Sequence, residues 1–600
     1  MNRKAPHLFA FSLLFVHFIY GQSPITYTLG LDNIHHHELT IEVTFENLET
    51  SELEIRMPNA SPGRYAEHNF AKNVYAEIAV DKNEKPLRVK RLTPFSWKLE
   101  TQKGYVKFRY TLYGNHGDGT YTGIDARKLH LNMPATFIYG VGLNNRPIRL
   151  KIDLESHPEW TVATQLKDEG SGTYTAPDYY YFYDSPTMVG DISWREWKVD
   201  DQTIQIAMLH EGTPDELDQY TDWVQRIVRE EARIYGELPD FDFGRYTFLM
   251  AYNPWVYGDG MEHRNSTICS STGSLERNAG QMIGTVAHEF FHAWNVERIR
   301  PASLEPFDFD RPNMSGALWF AEGFTSYYDD LVLCRTGIRS WEQYVAGLTG
   351  TMNYVINSPA RAIKTPIQMS QNAPFADAAT ANDETNFANT FVSYYSYGAV
   401  LGLGLDLLLR SSFEELTLDD YMQYVWEHYG RSEDPYEISD LQESLARVTG
   451  DKKFAASYFN SYIYQSDLPD FKKLLNEFGV RQELVSEAGV HFGNVNLNDK
   501  GVLTSPIVRG TALYEAGMEK GDVLMKIGDF EVSSNAAFTK ALEQLVVGRK
   551  YTITYKQMGI VRTGTFEAIQ TPGFQLNLIP DAELDPETID RRKKWLSGSK

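Results

Sequence analysis

Two histidines four residues apart constrain this chain more than any other feature. The segment from Val286 to Pro301 reads VAHEFFHAWNVERIRP, and its apolar residues Val286, Phe290, Phe291 and Trp294 recur at helical intervals. At about 100° per residue, His288 and His292 leave one face of a helix together. That spacing lets both imidazoles bind one tetrahedral zinc ion. Glu289 follows the first histidine, where its carboxylate reaches an attacking water and not the metal. Such a group takes the proton of that water and passes it to a leaving amine. A plain core would hold three ionisable side chains among aromatic ones only at a cost, so a structural helix with two satisfied histidines is the weaker reading.

Downstream, LWFAEGFTSYYDDLV sets Glu322 in an amphipathic helix beside Trp319, Phe320 and Phe324. Two histidines and one glutamate leave the fourth zinc position open, which marks a catalytic and not a structural site. One zinc ion per chain is expected. Asp329 lies two helical turns further along the same face and is placed to orient a ligating histidine. Glu297 is the rival third ligand, although a surface carboxylate beside Arg298 suits it better.

HEFFHAWNVERIRP and WFAEGFTSYYDD resemble the glycyl aminopeptidase family of zinc metallopeptidases, related to aminopeptidase N through the HExxH-plus-downstream-Glu arrangement. The resemblance spans nearly all of the chain beyond its N-terminus. It implies a multidomain α+β protein: an N-terminal antiparallel β domain, a thermolysin-like catalytic domain with a helical continuation, and a C-terminal PDZ domain. Upstream, GDGMEHRNST carries Gly260, Met261 and Glu262. In the related aminopeptidases a Gly-x-x-Glu segment here lies as an edge strand along the substrate, and its Glu binds the free α-ammonium. Carried over, Glu262 makes the enzyme an exopeptidase by charge-pairing with the substrate N-terminus. Further on, SYYSYGAVLGLGLDLLL resembles the family's Tyr-Tyr-x-Lys-Gly helix entry, with Tyr397 in place of the Lys. By position Tyr395 donates a hydrogen bond to the oxyanion, and Tyr394 is the alternative donor. The resemblance also implies a preference for N-terminal Gly or Ala.

The rest of the sequence organises around this centre. Arg3 and Lys4 precede an apolar run, Leu8 to Tyr20, that is too short and too early for a spanning helix. Residues 1–21 therefore read as a signal peptide, and the protein as exported and soluble with no membrane span. Residues 22–200 alternate apolar and polar positions, as in ELTIEVTFENL and YVKFRYTLYGN, and form the expected β domain. Residues 201–480 turn helical after Asn278, with helices expected over 280–294, 317–335, 340–355, 397–411, 418–429 and 438–449. The Pro- and Asn-rich stretch 356–390 among them is expected to edge the active site. Residues 485–575 form the PDZ-like module, whose carboxylate-binding loop falls near Gly501–Leu503 without the usual Gly-Leu-Gly-Phe text. Residues 576–600 are a charged tail, read as a surface helix. The net charge of −23 excludes a nucleic-acid partner, which needs a basic face. Cys269 and Cys334 are either a disulfide or two buried thiols, and His35–His37 is a solvated triplet.

The partner implied is a peptide with a free N-terminus, with a further peptide or protein segment at the PDZ module. Two rivals remain: a zinc endopeptidase, which would cleave N-acetylated peptides, and a non-catalytic peptide-binding protein with a vestigial metal helix.

Overall fold

The computed structural model describes residues 23–376, 383–485 and 489–598. The signal peptide expected over residues 1–21 lies outside them. In the β domain the alternation of ITYTLG, ELTIEVTF and VKFRYTLY becomes an alternation of buried and half-buried positions. The strands Ile25–Gly30, Glu38–Phe45 and Val106–Tyr113 run side by side at the centre of an eight-stranded sheet. Tyr27, Phe45, Trp97, Phe108 and Phe137 fill the core between this sheet and two four-stranded ones. Pairing is antiparallel, except that Ile25–Leu29 runs parallel to Ile148–Ile152. The strand Ser193–Val199, grouped with this domain by its sequence, instead edges the next sheet by pairing with Gln202–His210.

That second sheet runs in the order Ser193–Val199, Gln202–His210, Arg245–Tyr252, Ser266–Ser271 and Asp259–His263, so Asp259–His263 is an edge strand. The helices Pro214–Tyr235 and Leu275–Phe291 pack against the sheet through one large core. Thr213 and Glu216 form a reciprocal capping box at the start of the first helix. The single helix expected over 317–335 is broken: Leu318–Ala321 ends at Glu322, and Gly323–Arg335 begins after it. The helix Tyr394–Ser412 crosses this break with glycine against glycine. A Cβ on Gly398 would stand 1.9 Å from the Trp319 carbonyl oxygen, so no side chain fits there. The stretch Phe387–Ser412 is long and apolar enough to cross a membrane, but 72% of its most apolar window is buried inside the molecule, and core packing accounts for its apolarity. Cys269 and Cys334 are both buried free thiols, on a strand and a helix of this domain.

The C-terminal module is an insertion. The chain leaves the second domain through Val480–Leu484 and returns through Phe574–Leu578, and these two strands pair with each other. Between them lie a four-stranded sheet, the helices Ala512–Glu515 and Asn535–Leu542, and a separate small core. The carboxylate-binding loop expected at Gly501–Leu503 is not available for that task. Its amides donate to Asn498 and Asp522, and Leu524 and Gly521 donate to its carbonyls. The charged tail is a helix on the surface, as expected, but it buries one edge. Pro586–Ser597 sets Trp595 and Leu596 into the large core, where Trp595 Nε1 donates to Tyr327 Oη at 3.1 Å.

His130 lies buried on the strand Lys128–Leu131, where its Nε2 donates to the Asp118 carbonyl oxygen at 2.6 Å. Burial lowers its pKa to about 4, with Lys128 adding to the effect. The folded ring resists a proton that the unfolded chain accepts near pH 6.5, so stability falls as pH drops from 6.5 towards 4. Between pH 7 and 5 the His130→Asn variant should lose about 2 kcal/mol less stability than the wild type, as read from denaturant unfolding. Equal losses in the two proteins would contradict this assignment.

Candidate metal centre

The last turn of the helix Leu275–Phe291 carries His288 and Glu289, and His292 caps its end. His288 Nδ1 lies 3.0 Å from Asp329 Oδ2, and His292 Nδ1 lies 2.5 Å from the carbonyl oxygen of Asn295. Both partners are acceptors, so each Nδ1 carries the proton and each Nε2 presents a lone pair. Those lone pairs face Glu322, with His288 Nε2 3.6 Å and His292 Nε2 3.2 Å from its Oε2. The other carboxylate oxygen, Oε1, accepts a hydrogen bond from Tyr65 Oη at 2.5 Å.

The donor atoms of His288, His292 and Glu322 lie within 4.8 Å of one another. His292 Nε2 and Glu322 Oε2 are buried, and neither has a hydrogen-bond partner among the described residues. Two imidazole lone pairs and a carboxylate oxygen converging in this way fit a divalent cation. The electrostatics agree. Burial pushes the Glu289 carboxyl up to about 8, although His288 and His292 pull it down. Burial also raises Glu262, again against the pull of His292. Burial would raise Glu322 as well, but the two imidazoles outweigh it and hold that carboxyl well below the usual range.

These groups line a cavity of about 320 Å³. The edge strand Asp259–His263 supplies one wall, with Gly260 against Glu289 and the Glu262 carboxylate within 4.8 Å of Glu289 and His292. Met261 instead turns its side chain into a core with Ile268 and Val256. Tyr395 lines the cavity, its ring 5.9 Å from that of His288, whereas Tyr394 is buried edge-on against Tyr65. Glu297 lies in a different cavity with Arg300 and Tyr180; it is half-buried, not on the surface.

Three contributors escaped the sequence reading. Asn295 stands inside the motif but is not ionisable. Its side chain donates to the carbonyls of Phe320 and Ala321 at 3.1 and 3.2 Å, which ties the residue holding His292 to the turn that presents Glu322. Tyr65 and Arg64 arrive from the β domain, with no local signal to mark them.

The site and the family models matched by the chain support a metal-dependent peptidase. Residues 281–401 match the model of the M61 glycyl aminopeptidase, and residues 26–191 match that of the peptidase M61 N-terminal domain. No curated protein matches the chain in sequence. Among solved structures, a crystal structure of an aminopeptidase N family protein from Idiomarina loihiensis shares the fold, with 24% identity and a TM-score of 0.81. That likeness covers 95% of this chain and 100% of the other. Legionella pneumophila aminopeptidase A in complex with aspartic acid shares 12% identity over 91% of this chain and 57% of its own, at a TM-score of 0.41.

If Asn295 orients both His292 and Glu322, Asn295→Ala should weaken metal retention about 10- to 100-fold in chelator competition while the protein stays folded. Unaltered retention would exclude that role.

Proposed function

We propose that the chain is a zinc-dependent aminopeptidase that removes N-terminal residues from peptides, small ones such as Gly and Ala in preference to larger ones. The observation that carries this reading is the position of Glu262. Its buried carboxylate lies beside Glu289 and His292, where a substrate's α-ammonium would neutralise it while the first peptide bond faces Glu289. An ion pair that fixes one end of the substrate also fixes which bond reacts.

His288, His292 and Glu322 would hold the zinc ion, which when bound polarises the scissile carbonyl and acidifies water. Glu289, buried on the cavity wall beside the two histidines, is placed to serve as the general base. It accepts a proton from the attacking water and delivers it to the departing amine. Tyr395, on the cavity wall beside His288, donates a hydrogen bond to the carbonyl oxygen as negative charge builds there. Asp329 keeps His288 in the tautomer whose Nε2 faces Glu322 and would be free to bind the ion.

The inserted module, with its four-stranded sheet and two helices, supports a PDZ reading. Because the amides of Gly501–Leu503 are already engaged, we assign it a structural role over capture of a free carboxylate. The positive n-region and apolar run before Gly21 support export.

The test is hydrolysis of Gly- and Ala-aminoacyl substrates, free and N-acetylated. Zinc-dependent cleavage of the free forms alone is expected, with Glu289→Gln lowering kcat by at least about a thousandfold. Cleavage of the acetylated forms at a comparable rate would make the enzyme an endopeptidase. Zinc binding without any hydrolysis would make it a binding protein.

A further inference from the structure

One loop belongs to the β domain by chain and to the catalytic cavity by position. Residues 61–65 read Ser-Pro-Gly-Arg-Tyr, and Gly63 and Arg64 line the cavity together with Glu262 and Glu289. The base of the loop is pinned. Asn59 and Ala60 donate their amides to the Phe309 carbonyl at 2.8 and 3.0 Å, and His68 donates its amide back to Asn59 at 2.7 Å. Phe309 precedes the Glu322 turn in sequence, yet its ring lies in the β-domain core. The loop therefore cannot shift without disturbing both domains.

Its tip touches the residue proposed to bind the substrate's amino end. Gly63 adopts φ +73°, and a Cβ there would stand 2.2 Å from Met261 Sδ and 3.0 Å from Glu262 Oε2. Backbone thus abuts the Glu262 carboxylate with no room for a side chain. Arg64 fastens this tip to the edge strand. Its Nη2 pairs with the Asp259 carboxylate and donates to the Gly260 carbonyl at 3.3 Å, while Nε donates to Thr120 Oγ1 at 2.7 Å. Asp259 also accepts the Gly119 amide at 2.9 Å, so two β-domain segments grip the start of the strand. Left uncovered, an edge strand can pair with an extended chain along its whole length. Here the β domain covers the start of the strand at Asp259 and Gly260, and Gly63 closes on Glu262 itself.

Resting on the aminopeptidase reading above, we infer that loop 61–65 is the wall that ends the cleft at its amino side. Gly63 excludes any acyl group or residue preceding the one whose ammonium meets Glu262. Arg64 is the positioning residue that holds the wall shut against Asp259 and Gly260. On this account the exopeptidase habit has two separable parts: Glu262 rewards a free ammonium, and the loop rejects anything longer.

The two parts are tested on the full-length zinc-loaded enzyme with matched free and N-acetylated Ala peptides. Arg64→Ala releases the tip, and the ratio of acetylated to free hydrolysis should rise about tenfold or more. Gly63→Ala pushes a methyl group against Met261 and Glu262. It should raise KM for free peptides about tenfold, change kcat less, and leave acetylated peptides uncut. A folded, metal-loaded Arg64→Ala enzyme with the wild-type ratio would overturn the inference. Should Arg64→Ala not accumulate as folded protein, Gly63→Ala decides alone, and an unchanged KM overturns it. Wild-type enzyme that cuts acetylated peptides as readily as free ones would instead refute the aminopeptidase reading itself.

Discussion

Three carboxylates and two imidazoles share one buried pocket, and much of the molecule answers to that fact. Glu262, Glu289 and Glu322 are all withdrawn from water within reach of His292. Taking a charge out of water costs several kcal/mol after relaxation, and like charges brought close add to that cost. Such a cluster persists only if cations offset it and if the surrounding structure denies it room to spread. A divalent ion on His288, His292 and Glu322 would supply the first condition. The fold supplies the second.

It does so by making separate stretches of chain meet at Glu322. The helix Leu275–Phe291 brings the histidines, the edge strand brings Glu262, and Tyr65 comes from the β domain. Gly323 and Gly398 let two helices approach so closely that neither could carry a side chain, and Tyr395 emerges beside His288. Larger residues there would hold the helix Tyr394–Ser412 away and carry its tyrosines out of the cavity. The β domain is accordingly part of the site: it bonds a candidate ligand through Tyr65 and anchors the edge strand through Arg64.

The convergence of His288 and His292 was legible in the sequence because its logic is local. Two histidines one turn apart on an amphipathic helix declare a shared face before any tertiary contact is known. Glu322 was legible as a lone carboxylate among aromatics, although the helix break there was not, since nothing in LWFAEGF departs from helical periodicity. Tyr65, Gly63 and Asn295 were invisible for a different reason. A hydroxyl, a missing side chain and an amide become informative only through what stands opposite them, and two of these three act across a domain boundary. The C-terminal helix was legible, but its buried edge was not: Arg592, Trp595 and Leu596 turn inward from an otherwise exposed, charged stretch.

The C-terminal helix completes the core around Glu322 from far along the chain. Trp595 donates to Tyr327 Oη, Tyr327 donates to Asp406 at 2.7 Å, and Asp406 accepts from the amide of Leu418 and from Arg410. The helix that follows Glu322 therefore has its buried hydroxyl satisfied by a residue close to the end of the chain. A phenol in a core needs a partner for both its proton and its lone pairs, so the helix Gly323–Arg335 depends on Pro586–Ser597 for its buried hydroxyl. The inserted module stands between these two segments in the order of the chain. It folds around a core of its own, and its two connecting strands pair, so its length adds little entropy to the closing step. The insertion is tolerated because it enters and leaves at one place, and the helices that carry His288, His292 and Glu322 form a continuous core with the segments on either side of it.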